Sequence, residues 1–207
     1  MGTLTLSAIA LDEVHQWFGA PAELADQLSD QARQVSVANP PLIRKVGPLL
    51  RRPSAPLVTV PAPSMDDVAA LVEGRTLPAD RLGFAWVIVR HWLQLRARHQ
   101  VAVELSEHQL SVLDFSLVSA GLSSQLSFET VIARDPHLPL LATPGLSVGW
   151  MPNAHAVRAA AVWPQVFGLV AQRLEVADPA TQLRVFFDDF ARLAPNESPD
   201  ILALYQR

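Results

Sequence analysis

The sequence predicts an α+β fold: a predominantly helical single domain, residues 1–207, around a buried central helix, with a small sheet of two or a few strands. Three observations carry that expectation. Residues 3–10 and 100–106 alternate polar and apolar side chains with the period of a strand. Several longer stretches repeat apolar residues at helical spacing between Ser, Asp or Pro starts and Gly stops. Residues 82–89 are apolar on every side of a helix, the pattern of a helix surrounded by protein. With 207 residues, half of them hydrophobic and 17% charged, the chain is long enough to bury roughly 70% of the surface it exposes when unfolded.

In chain order, Thr3-Leu4-Thr5-Leu6 ahead of Ile9 reads as the first strand. Leu11, Val14, Trp17 and Phe18 then fall at helical spacing, with Asp12 and Glu13 in the first turn, where the helix dipole favours negative charge. Gly19 stops that helix, and Pro21 opens another that runs to about Gln34. Residues 35–63 hold seven of the 17 prolines, at 40, 41, 48, 53, 56, 61 and 63, so they are expected to form a long loop or lid. Its Arg44, Lys45, Arg51 and Arg52 flank short apolar pairs, which predicts that part of it lies against the body. Ser64 caps a short helix that Gly74 ends. Asp80 caps the central helix, whose second half, with Arg90, Gln94, Arg96 and Arg98, emerges into water.

Val101, Val103 and Leu105 mark a second strand expected to pair with the first. Residues 107–120 form a helix with Leu110, Leu113 and Leu117 inward and Gly121 as its stop, and Ser127 caps a short helix through Ala133. Prolines 136, 139, 144 and 152, with Gly145 and Gly149, predict an irregular path over residues 135–152. Asn153 caps a helix that Pro164 should kink or restart near Trp163. Asp178-Pro179 starts a helix with Leu183, Phe186, Phe187, Phe190 and Leu193 inward. Ser198-Pro199 repeats that start signal and predicts a last short helix at the terminus.

A net charge of −4 lacks the clustered basic residues that nucleic-acid binding demands. The longest apolar run, 82–89, falls short of the roughly 20 residues that cross a bilayer, and Arg90 and His91 close it. The opening Met-Gly-Thr-Leu-Thr-Leu has no basic residue, so no export signal is expected. The absence of cysteine excludes disulfides, thiolate metal sites and a cysteine nucleophile and fits a reducing compartment. No nucleic-acid or membrane partner is therefore expected, and a cytoplasmic location is. Lys45 is the only lysine among 16 basic residues, which with abundant Ala, Val, Leu and Pro points to a GC-rich bacterial coding bias.

None of the histidines, at 15, 91, 99, 108, 137 and 155, has the spacing of a metal site, and Glu104 and His108 straddle a strand-to-helix change. No metal or cofactor is expected. Burial on the central helix would suit His91 to a proton-carrying role. Because no nucleophile elbow or carboxylate partner accompanies it, a histidine bonded to backbone is the simpler reading. Asp188 and Asp189 read either as paired catalytic carboxylates or as ion-pair partners of Arg184 and Arg192, and helical spacing favours the ion pairs. No glycine-rich phosphate loop and no Gly-x-Ser-x-Gly occurs. Of the five tryptophans, at 17, 86, 92, 150 and 163, Trp150 stands in the proline-punctuated segment and is expected to be exposed.

Ala10-Leu11-Asp12-Glu13-Val14 after an extended start, the apolar helix over 83–95, and Pro136-His137-Leu138-Pro139 leading through Pro144 to Gly149-Trp150 resemble a family of uncharacterised, mainly actinobacterial proteins. The resemblance covers about two thirds of the chain, leaving out the proline-rich stretch and the final two helices. It implies a bacterial cytoplasmic origin and brings no activity or site residue with it. From the residues themselves, the expected function is a non-enzymatic protein-interaction module that binds a protein partner or a second copy of itself, with Trp150, Arg51 and Arg52 as partner-binding residues. One alternative is an enzyme or small-molecule binder with its pocket under the 35–63 segment and His91 or His137 in an acid-base role. The other is an immunity or antitoxin protein.

Overall fold

The computed structural model describes residues 2–38, 62–170 and 176–207. Among them it is α+β, with eight α-helices and one antiparallel sheet of four strands. The chain divides into two compact units, residues 17–92 and residues 1–16 with 93–207.

The larger unit holds the sheet. The two expected strands, β1 (Thr3–Ile9) and β2 (His99–Glu104), pair antiparallel with Leu4 opposite Val103 and Leu6 opposite Val101. Between them comes the helix α1 (Leu11–His15), shorter than its apolar spacing predicts. The sheet gains two strands the sequence reading missed. β3 (Leu146–Met151) occupies part of the segment expected to be irregular, and β4 (Asp200–Gln206) replaces the expected terminal helix. Their order is β2-β1-β4-β3, so β2 and β3 are the edges.

Both corrections have physical causes. Residues 201–205, Ile-Leu-Ala-Leu-Tyr, are all buried because β4 is central and covered on both faces. A short continuous apolar run of this kind cannot be told from a buried helix by periodicity. Ser198, at φ +47°, turns the chain, so Ser198-Pro199 leads into a strand. In β3 the prolines stand outside the strand, at 144 and 152. Gly149 marks a close backbone approach: a Cβ there would fall 2.0 Å from the carbonyl oxygen of Val131.

One sheet face, carrying Leu4, Leu6, Ala8, Val103, Met151, Ile201, Ala203 and Tyr205, packs into a core with four helices. These are α5 (Glu107–Ser119), α6 (Phe128–Ala133), α7 (Asn153–Val170) and α8 (Ala177–Glu197). Their inward residues include Leu113 and Leu117, Phe128, Trp163, and Phe186, Phe187 and Phe190. Trp163 stacks on Phe187 with ring centroids 5.1 Å apart. α7 runs as one helix through Pro164. Its first amide does not rest on the Asn153 side chain: the Asn153 N–H donates to Asp200 Oδ1 at 2.8 Å, while Asp200 Oδ2 accepts from Leu11 N at 2.9 Å. One carboxylate at the start of β4 thus satisfies the first amides of both α7 and α1.

The smaller unit holds α2 (Ala22–Ala38) and α3 (Met65–Val72), with most of α4 (Leu82–Arg96). Ser64 and Asp67 form a reciprocal capping box at the start of α3. α4 buries Ala85, Trp86, Ile88, Val89, Trp92 and Leu93, whereas Val87 and Leu95 face solvent. The Trp92 indole N–H donates to the Leu28 carbonyl at 3.0 Å, and its ring meets Trp17 edge-on. No helix among the described residues is long and apolar enough to cross a membrane.

Candidate functional site

Trp150 stands on the edge strand β3, opposite Leu202. Contrary to the expectation of exposure it is half-buried, because strand pairing turns its indole onto the sheet face shared with buried Leu202 and Ser7. Its amide donates to the carbonyl of Arg134 at 3.2 Å. The chain leaving α6 therefore runs along the β3 edge, past Gly149, and supplies a partner that an edge strand otherwise lacks.

That path carries Arg134 to the first turn of α7. Its guanidinium Nη1 lies 3.3 Å from His155 Nδ1. A guanidinium only donates, so His155 Nδ1 is the acceptor in this contact. Arg158, three residues beyond His155 on α7, is on the same helix face and exposed. Sequence reasoning missed this group. The His155–Arg158 spacing was readable, but Arg134 is 21 residues earlier and arrives only through the approach at Gly149.

Arg51 and Arg52, with nearly all of the expected 35–63 lid, lie outside the described residues. His137 is exposed at φ +55°, with Nδ1 3.3 Å from Asp135 Oδ2. His15 Nε2 lies 3.0 Å from the Pro136 carbonyl and ties this connection to α1. His91 contacts the Gln31 carbonyl through Nε2 at 3.2 Å. Asp188 pairs with Arg184 at 3.5 Å as its spacing predicts, while Arg192 goes to Asp189 at 2.6 Å. Among the described residues no cluster of His, Asp and Glu is arranged to hold a metal ion.

A separate cleft of about 310 Å³ opens between α5, α6 and the sheet, walled by Leu110 and Ile132 and rimmed by Glu107, Glu129, Tyr205 and Arg207. Arg207 Nε donates to Glu107 at 2.7 Å, and the Tyr205 hydroxyl donates to the Leu105 carbonyl at 3.1 Å. Burial and then the charge of Glu107 push the Tyr205 phenol above its usual pKa, against the opposing pull of Arg207.

No protein-family model matches the chain, and no match was found among curated proteins or solved structures. The class defined by fold and site is an α+β protein with a tryptophan and a basic group at one sheet edge.

Proposed function

We propose that this is a non-enzymatic interaction protein that docks a protein partner on the β3 edge around Trp150. One observation carries the reading: an edge-strand tryptophan, still partly accessible, has its amide bonded to the carbonyl of Arg134, whose guanidinium reaches His155 at the start of α7. Trp and Arg are the residue types that most often anchor interfaces. The test is capture from the native cell with wild-type and Trp150→Ala baits of matched thermal stability, followed by mass spectrometry. A stoichiometric partner held by the wild type and lost with Trp150→Ala supports the proposal.

The cleft below α5 and α6 favours a second reading, a small-molecule binder, because its volume lies at the lower end of ligand sites. A bait that purifies without protein but with a metabolite bound would favour that reading. Two further expectations belong to the same proposal. The chain unfolds as one cooperative domain with α4 in its protected core, checked by a single denaturation transition and slow amide exchange in α4. Its setting is the bacterial cytoplasm, as the family resemblance implies.

A further inference from the structure

We infer that the cleft between α5, α6 and the sheet takes a small organic cation, a primary or secondary ammonium on a short apolar body; the inference rests on the small-molecule reading of that cleft and not on Trp150. The cavity sets the size and the body. It measures about 310 Å³, at the lower end of ligand sites, and is walled by buried Leu110 and half-buried Ile132. Its charges set the head group. Among the described residues the charged side chains lining it are Glu107, Glu129 and Arg207. Arg207 Nε donates to Glu107 at 2.7 Å, so these two cancel. Glu129 has no ion-pair partner among the described residues. Behind it stands another acid, not a cation: Asp114 accepts the Glu129 amide at 2.7 Å, and the charge of Glu129 helps to raise the Asp114 pKa. The cleft is left one positive charge short, which concentrates cations there.

The remaining polar groups decide between kinds of cation. The Tyr205 hydroxyl commits its hydrogen to the Leu105 carbonyl, so what it has left for a ligand is an acceptor. Ser147 adds a hydroxyl, and Glu129 its carboxylate oxygens. These acceptors call for N–H donors, which a primary or secondary ammonium carries and a quaternary one lacks. Quaternary groups are held by cages of aromatic rings, whereas Tyr205 alone among the described lining residues is aromatic. A bare metal ion fits no better. No cluster of His, Asp and Glu among the described residues is arranged to hold one, and the walls offer hydrocarbon in place of further oxygen ligands.

The experiment titrates isopentylamine, isopentanol and isovalerate into the full chain at neutral pH, one apolar body with a cationic, a neutral or an anionic head. Blocked acetyl-lysine amide is titrated beside them as the stand-in for a partner's lysine. Saturable shifts of the Leu110 and Ile132 methyl resonances report binding, and thermal unfolding checks that each variant is folded. The amine is expected to bind about threefold tighter than the alcohol, the worth of one exposed charge pair, and isovalerate more weakly than either. Glu129→Gln, at an exposed position, should weaken the amine about threefold and leave the alcohol unchanged. Arg207→Gln frees Glu107 from its partner and should tighten the amine by a similar factor. Opposite signs at two rim residues are not what a merely structural role of either would give.

Equal binding of amine and alcohol, tighter binding of isovalerate, or an amine affinity that ignores Glu129→Gln or falls with Arg207→Gln would overturn the inference while leaving the cleft a small-molecule site. Acetyl-lysine amide binding more tightly than isopentylamine would hand the cleft to a partner's side chain and overturn the free ligand. No saturable binding of any probe, in a chain that also purifies without a metabolite, sinks the small-molecule reading together with this inference.

Discussion

Asp67 and Asp114 are aspartates almost removed from solvent, at 3% and 5% exposure, one in each unit, and their surroundings push them in opposite directions. Asp67 begins α3. Burial works to raise its pKa, but hydrogen bonds from Arg81 and from the Ser64 amide and hydroxyl, together with the charge of Arg81, hold the carboxyl below the usual range. Arg81 grips it side-on, with Nε 2.8 Å from Oδ1 and Nη2 on Oδ2, and lies over the Phe84 ring. Asp114, on α5, reaches the start of α6 and accepts the Phe128 and Glu129 amides, each at 2.7 Å. Burial raises its pKa, and those amides recover only part of the shift. Two amide hydrogen bonds do not offset the loss of water around this carboxylate, whereas a guanidinium in contact does.

The largest expected effect comes from Asp114→Ala, which leaves two amides at the start of α6 without an acceptor and should cost about 2–3 kcal/mol. Asp114→Asn, which keeps one oxygen, should cost about half as much on the same basis. Urea denaturation measures both. A cost for Asp114→Ala within the error of the wild type would break the comparison.

Next comes Arg81→Met, which strips Asp67 of its counter-charge. Arg81 retains 24% side-chain exposure, so the cost should be about 2 kcal/mol, below the 3–5 typical of fully buried pairs. The pH dependence sharpens the contrast. Asp67, depressed when folded, stabilises fully above its unfolded value near about pH 4 and loses that contribution as pH falls through the folded value. The deficit of Arg81→Met should therefore shrink in acid. Asp114, raised when folded, contributes fully below about pH 4 and loses that contribution as pH rises through its folded value. The deficit of Asp114→Asn should therefore be greatest in acid. Parallel pH profiles for the two variants would refute the assignment of opposite shifts.

The same contrast explains which parts of this fold were legible in the sequence. Local signals carried through at Ser64, which caps α3, and Ser127, which caps α6, while the capping box of Ser106 and Gln109 at α5 went unread. β1 and β2 showed their alternation because each was read with one face inward. β4 hid because both faces are covered, and β3 because its bounding prolines and Gly149 looked like loop chemistry. Contacts across long sequence separations left no trace: Asp114 capping α6, Asp200 serving α1 and α7, and Arg134 meeting His155. At the candidate site, Trp150 was singled out from its residue type, but its half-buried strand position and its backbone link to Arg134 depend on the Gly149 approach, which one sequence read alone does not encode.

The smallest effect tests whether exposure, rather than the pairing of Asp with Arg, sets the energy at Asp67. Arg33 and Asp30 on α2 have the same two side-chain types in contact at 2.8 Å, but their side chains are 67% and 69% exposed. Water already solvates both groups there, so removing one leaves no stranded charge and the other regains its hydration. Asp30→Asn should change stability by less than about 0.5 kcal/mol, and added salt should erase most of that difference. Arg81→Met should keep most of its cost in the same salt, because the Asp67 carboxylate remains shielded from the screening ions. If Asp30→Asn matched Arg81→Met in magnitude, contact chemistry alone would account for both pairs, and burial would lose its place in the explanation of Asp67.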